Sequence, residues 1–382
     1  MTSIRESVRR MFTPVKPLPS GIYHYQAPPE DPRNYRLHLR LEPDGKGVLI
    51  VNAATVLHLN PTAAEYAYHL VHTHPEDQAV AEVASRYRVG RVQVQQDYRN
   101  FVDRIDTLVS IPEVDPATFL DFDRSSPYSG EITAPYRLDI AITYRLPVTS
   151  DPQAAPTDRV TRELTTSEWE QVLDKAWQVG IPHIIFTGGE PTLRDDLPDL
   201  IGRAEHNGQV TGLLTNGLLL AEVDYLNVLL QTGLDHIMVI LYPEEQKTWQ
   251  ALKNASAEDI FVGAHLTLSP ENHKEVPGLL ERLAEFKING ISLSASLPAL
   301  NNELQAAREQ AAKLDLALIW DLPVPYSDQN PVALEIEERD LPEGAGRAWL
   351  YIEPDGDVLP TQGVEQVLGN MLKDPWEKIW KS

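Results

Sequence analysis

The chain has 382 residues, more than one ordinary core holds, so two or three domains are expected. A hydrophobic share of 42% with 23% charged residues excludes wholesale disorder. Asp and Glu outnumber Lys and Arg by 56 to 33, and a net charge of −23 repels phosphate backbones, which excludes nucleic acid as a general partner. No apolar run approaches bilayer length, and the opening MTSIRESVRRMFTPVKPLP is too charged for a secretion signal. No membrane partner is expected, and a cytoplasmic location is the default. Cysteine is absent from the sequence, which removes disulfides, thiolate nucleophiles, Cys-ligated zinc and Cys-ligated iron–sulfur clusters together.

Residues 1–34 read as an N-terminal extension. YRLHLRLE (Tyr35–Glu42) and GVLIVN (Gly47–Asn52) have strand character and are joined by a Pro-Asp-Gly turn at Pro43–Gly45. TVLHLN (Thr55–Asn60) is a third strand, after which Asn60 caps a helix that starts at Pro61. Helical spacing follows over Ala79–Val89 and Val92–Val109, so residues 35–110 are expected to form a small winged-helix-like α+β domain. Residues 111–136 hold Pro112, Pro116, Pro127 and Pro135 without periodicity and read as a linker.

From residue 137 the pattern changes to strands alternating with helices. The strands are Leu138–Thr143, His183–Gly188, Val210–Thr215, His236–Leu241, Val262–Leu268 and Ile291–Leu297, with Leu316–Leu322 as a seventh. Thr165 and Glu168 form a capping-box pattern ahead of Trp169, Val172, Leu173, Ala176 and Trp177 on one helix face, and Gly180 and Pro182 end it. Such repetition implies parallel strands with right-handed crossovers and a site at the strands' C-terminal ends. WLYIEPDGDVLP (Trp349–Pro360) is a hairpin in which Asp355-Gly356-Asp357 is better explained as a turn than as a calcium loop. A short amphipathic end follows at Trp376–Trp380.

The strongest local signal is Phe186-Thr187-Gly188-Gly189-Glu190-Pro191 directly after an apolar strand. Paired glycines let the backbone turn sharply and present its polar groups to a ligand, and Glu190 beside them can accept hydrogen bonds from a ligand amine. A tight loop with an exposed carboxylate accounts for the same residues. Asp195 and Asp196 suit the first turn of the next helix. His69, His72 and His74, near Glu76 and Asp77, read as a helix C-terminus that favours positive charge rather than as a metal site. No Ser/His/Asp triad and no P-loop is legible.

Gly188-Gly189-Glu190-Pro191 resembles the GGEP motif of radical S-adenosylmethionine (SAM) enzymes, where it follows the second strand of a partial barrel and binds the methionine amine of the cofactor. LDIAITYR (Leu138–Arg145) resembles that family's first strand, and LLTNG (Leu213–Gly217) resembles its third-strand end near the cofactor. The resemblance implies an α/β fold, a (β/α)6 partial TIM barrel over residues 137–325. It implies SAM contacts at Gly188, Gly189, Glu190, Pro191, Thr215, Asn216 and Gly217. EPDGDVLPTQG…LGNMLKDPWEKIW resembles the tail of SPASM-related peptide-modifying members, placed at residues 326–382. VLHLNPTAAEYAYHLV resembles PqqD-like domains that bind the leader of a ribosomally made peptide. That likeness implies a peptide groove between strand Thr55–Asn60 and helix Val92–Val109, with Val56, His58 and Tyr98 as contacts and Phe101 as a further wall, although both aromatics lie on the apolar stripe and core burial is the expectation for at least one of them.

The departures are as informative. Laid on the family's CxxxCxxC loop, the cluster positions here are Leu146, Ser150 and Gln153, and Thr361 stands where a tail cysteine is common. None supplies a thiolate, so the 4Fe-4S cluster and the reductive cleavage of SAM are expected to be absent. The fourth strand ends Val239-Ile240-Leu241-Tyr242, where many relatives carry a polar stretch. The expectation is a degenerate radical-SAM-like protein that binds a peptide or a partner maturation enzyme, with SAM as a possible retained ligand. The alternatives are a cluster-independent SAM-dependent enzyme such as a methyltransferase, and a purely structural subunit.

Overall fold

The computed structural model describes residues 17–28, 30–52, 55–111, 132–332 and 341–380. The chain divides into two compact units that meet between Ile132 and Thr133. Among the described residues no helix is long and apolar enough to cross a membrane. The opening segment up to residue 16 and Pro112, Pro116 and Pro127 of the expected linker lie outside the described residues.

The first unit is an antiparallel meander of β1 (Gly21–Gln26), β2 (Arg36–Leu41), β3 (Gly47–Val51) and β4 (Thr55–Leu59), in that order across the sheet. Helices α1 (Pro61–Val71), α2 (Glu76–Tyr87) and α3 (Arg91–Ser110) follow. The expected turn joins β2 to β3, with Gly45 at φ +88° and its N–H donating to the Glu42 carbonyl at 2.9 Å. Asn60 caps α1 by accepting from the Ala63 N–H at 2.9 Å, and Pro61 occupies the first helical position. Leu37, Leu39, Leu49, Leu57 and Leu59 pack on Ala64, Ala67, Val83, Val94, Phe101 and Ile105, a core separate from that of the second unit.

β1 corrects the sequence reading, which left residues 1–34 outside the domain. It pairs with β2 from Gly21↔Leu41 to Gln26↔Arg36. As an edge strand it is only half covered, and Gly-Ile-Tyr-His-Tyr-Gln offers no apolar run to mark it.

In the second unit β5 (Arg137–Thr143), β6 (His183–Gly188), β7 (Val210–Thr215), β8 (His236–Ile240), β9 (Phe261–Leu268) and β10 (Gly290–Ala295) pair in parallel. They are connected by α4 (Thr166–Gln178), α5 (Leu197–Asn207), α6 (Val223–Gln231), α7 (Gln246–Ala255) and α8 (Val276–Glu285), and α9 (Asn301–Lys313) follows β10. The predicted capping box is present: Thr165 accepts from the Glu168 N–H, and the Glu168 carboxylate accepts from the Thr165 N–H. Trp169, Val172, Leu173 and Ala176 of α4 are buried against the outer face of the strands, each such side chain contributing about 1.5–3 kcal/mol relative to exposure.

The sheet continues past both ends of this series. At one edge the expected seventh strand shrinks to β11 (Ala317–Leu318), which pairs only with Gly290 and Ile291. Beyond it Trp320 is exposed and Asp321 takes φ +60°, a conformation that ends a strand. At the other edge β12 (Trp349–Ile352) pairs in parallel with β5. The hairpin partner β13 (Asp357–Leu359) and β14 (Gly369–Asn370) add antiparallel strands. Among the described residues after 326, Leu350, Ile352, Val358, Met371 and Ile379 share the core of the parallel strands rather than forming a tail apart from it. Ala134, expected in the linker, is buried in that core as well. The chain ends, among the described residues, with α10 (Trp376–Ile379), whose Trp376 indole N–H donates to the Thr133 carbonyl at 3.0 Å.

Candidate functional site

The C-terminal ends of β5 to β8 converge on one place. The Gly189 N–H donates to the Thr143 carbonyl at 2.9 Å and the Glu190 N–H to the Arg145 carbonyl at 2.8 Å. The end of β5 thus runs hard against the end of β6. Gly188 lies at φ +133°, and a Cβ there would overlap the Thr143 carbonyl oxygen; one on Gly189 would overlap that of Arg145. The Gly188 carbonyl in turn accepts from the Tyr326 N–H at 2.8 Å. This corrects the expectation that the glycine pair frees amides for a ligand: these N–H groups are spent within the protein, and the glycines are needed for close packing.

Glu190 is not an exposed loop carboxylate but is 3% exposed. Its Oε1 accepts from the Thr192 N–H at 3.0 Å, the Thr192 hydroxyl at 2.6 Å and the Thr215 hydroxyl at 2.7 Å; Oε2 accepts from the Asn216 N–H at 2.7 Å. Burial pushes the carboxyl pKa up, while these donors pull it down and only in part offset the burial. Asn216 itself is held by its side-chain oxygen, which accepts from the Leu218 N–H at 2.9 Å. Pro191 starts the short 3-10 turn Pro191–Leu193 behind Glu190. Asp196 does not cap α5 with its side chain, which takes Arg194 at 2.7 Å and the Thr166 hydroxyl at 2.6 Å instead.

These ends enclose a cavity of about 330 Å³ lined by Gly189, Glu190 and Asn216 from the predicted set, with Leu146, Ser150 and Tyr242. That is the size of small-molecule sites. Gly188, Pro191, Thr215 and Gly217 shape it from behind and do not line it. Tyr326, Ser327 and Asp328 complete the wall and escaped the sequence reading, because the segment after β11 has no periodicity.

Of the positions laid on the cluster loop, Leu146 and Ser150 reach the cavity, whereas Gln153 is exposed on the 3-10 turn Pro152–Ala154. Protein contacts hold this loop. Tyr144 donates to Glu353 Oε1 at 2.9 Å, Arg159 Nε donates to the same oxygen at 2.9 Å, and the Tyr144 ring meets Tyr326 edge-on at 5.5 Å. Leu146 packs against the cluster of Tyr144, Ala155, Tyr326 and Tyr351. Thr361 is buried and accepts from the Trp349 indole N–H at 3.2 Å. An aliphatic side chain, hydroxyls and an outward amide do not fit a thiolate-held iron cluster.

In the first unit a second cavity of about 330 Å³ lies along β4, α1 and α3, lined by His58, Leu59, Tyr66, Asp97, Phe101 and Arg104. Leu57 and Leu59 point into the core, and among the described residues β4 pairs on one side only, with β3. Val56 is half-buried outside the cavity lining. Tyr98 is 6% exposed, packs in the core and meets Tyr66 edge-on at 5.6 Å, and it does not line this cavity. At the end of α1, His69 Nδ1 lies 2.9 Å from His74 Nδ1, while Glu76 pairs with Arg99 at 2.8 Å across the unit. Asp77 stands with it in the first turn of α2. Among the described residues no group of His, Asp and Glu is arranged to hold a metal ion.

Comparison with known proteins agrees with this geometry. Residues 147–283 match the model of the Radical SAM superfamily. The chain is 28% identical over 273 residues to a PqqA peptide cyclase of Methylobacterium sp. (strain 4-46), covering 62% of this chain and 69% of that protein. To a PqqA peptide cyclase of Streptomyces rochei it is 26% identical over 286 residues, covering 65% and 76%. Streptococcus suis SuiB, solved bound to S-adenosylmethionine, superposes with a TM-score of 0.58 at 15% identity over 92% of this chain and 86% of that one. SuiB bound to its precursor peptide SuiA gives the same TM-score at 14% identity. Residues 147–283 of the second unit thus carry the match to the Radical SAM superfamily, and the chain is similar to the PqqA peptide cyclases while its sequence holds no cysteine.

Proposed function

We propose that this protein is a degenerate member of the radical SAM peptide-modifying group, acting as a peptide-binding or assembly component in ribosomal peptide maturation. The observation that carries the reading is the pairing of a preserved strand-end cavity around Glu190 with Leu146, Ser150 and Gln153 at the cluster positions. The cavity and its buried carboxylate support an adenosyl ligand such as SAM; the donor set supports no iron cluster, and no electron-transfer step is assigned. In the first unit, a PqqD-like recognition role is supported by the one-sided β4 and the cavity beside it: an extended peptide adds main-chain hydrogen bonds to such an edge.

The test is anaerobic reconstitution of the full-length protein with iron and sulfide, followed by binding assays. The expected result is a colourless protein without stoichiometric iron that binds a peptide encoded beside it. Stoichiometric iron with sulfide-to-iron charge-transfer absorption would refute the degenerate reading. Failure to bind any neighbouring peptide would refute the peptide role.

A further inference from the structure

Every charged side chain lining the barrel-mouth cavity is a carboxylate: Glu190, Glu244, Glu245 and Asp328. A neighbouring cavity of about 500 Å³ shares Glu244 and Asp328 and adds Glu271 and Glu275. Among the described residues no lysine, arginine or histidine lines either one. Rim carboxylates alone are ordinary solvated groups, and two of these are engaged: Glu245 accepts from the Lys247 N–H at 3.0 Å and Asp328 from the Asp151 N–H at 2.8 Å.

Glu190 is the independent observation. It is buried, borders the cavity, and all four of its donors are neutral. No ion pair to it exists among the described residues. Oε2 accepts a single hydrogen bond and keeps an acceptor position open. A buried carboxylate without a counter-charge is costly, and a cation entering the cavity removes that cost. A carboxylate entering it meets four like charges and, among the described residues, no cation.

We propose that the cavity takes an adenosyl ligand that carries an ammonium or sulfonium charge and lacks a carboxylate. This rests on the adenosyl-site reading above and narrows it. Decarboxylated SAM is the probe of that class, SAM differs from it by one carboxylate, and 5′-methylthioadenosine carries neither charge.

The experiment is calorimetric titration of the full-length protein with all three at low salt. Decarboxylated SAM should bind about tenfold or more tightly than SAM, since like-charge juxtaposition at a binding surface is strongly unfavourable. It should also bind more tightly than 5′-methylthioadenosine. The gap should narrow at high salt and in the rim variants Glu244→Gln and Asp328→Asn, which leave the Glu190 hydrogen bonds intact. SAM binding as tightly as its decarboxylated form, or 5′-methylthioadenosine matching it, would overturn the charge selectivity and leave the adenosyl site standing. Binding of none of the three would remove the adenosyl site itself, and the proposal with it.

Discussion

The Asn216 N–H donates to Glu190 Oε2 at 2.7 Å, so the carboxylate at the end of β6 fixes the end of β7. With the Thr192 and Thr215 hydroxyls on Oε1, one buried side chain ties three segments together. Glu190→Gln keeps the shape but turns an acceptor into a donor that faces either Asn216 or the threonines. Urea denaturation should show a loss of about 1–3 kcal/mol, the cost of an unsatisfied buried group. Thr215→Val removes one donor only and should cost about 1 kcal/mol. An unchanged midpoint in Glu190→Gln would mean that the carboxylate does not hold these strand ends.

Glycine substitutions separate packing from helix propensity. Gly188→Ala forces a Cβ onto the Thr143 carbonyl at φ +133° and should destabilise the second unit by more than about 2 kcal/mol, or prevent its folding. Gly202, inside α5, has open space where its Cβ would lie. Gly202→Ala should therefore stabilise by about 0.5–1 kcal/mol. Thermal melts of both variants check the pair of signs; a tolerated Gly188→Ala would contradict the close approach of β5 to β6.

Acid should weaken the second unit through its buried histidines. His265, on β9, is 1% exposed, its ring within hydrogen-bond distance of the Ser292, Thr267 and Ser294 oxygens. Burial pushes its pKa down from 6.5 to about 4. The unfolded chain therefore takes up a proton that the fold refuses. The stabilising contribution is full above about pH 6.5 and falls between there and pH 4 by roughly 1.4 kcal/mol per pH unit. His236 behaves alike: burial, and then the positive Arg137, lower it to about 4. In stability measured against pH, His265→Gln should lose one proton's worth of slope in that window. An identical acid limb in the variant would assign the slope elsewhere.

The first unit should bind its peptide through β4. With its own core and a β4 edge that is unpaired among the described residues, a fragment of residues 1–132 should bind the neighbouring peptide as the full chain does. A proline at the centre of the bound segment should abolish binding, because the ring removes a main-chain donor. His58→Ala should weaken binding by several-fold and Tyr98→Phe should not change it, since only His58 borders the cavity. Fluorescence anisotropy with a labelled peptide distinguishes these cases; binding by the full chain but not the fragment would move recognition into the second unit.

Local signals were complete in the sequence. Thr165 and Glu168 announce α4, Asn60-Pro61 announces α1, and the apolar runs of β5 to β10 announce a parallel buried sheet, because each depends on residues a few positions apart. The zero count of cysteine likewise shows in the sequence alone that Leu146, Ser150 and Gln153 offer no thiolate. What Gly188 and Gly189 are for was not legible: their glycine identity answers to the carbonyls of Thr143 and Arg145, more than forty residues away in the chain. Nor was the fate of Glu190, which the sequence offers as a loop carboxylate and tertiary packing buries under four donors. β1, the joining of β12 to β5, and Tyr326 against Gly188 share that origin. Each is a pairing between distant segments whose residues carry no periodic pattern, so only folding, which brings the distant partner into reach, decides them.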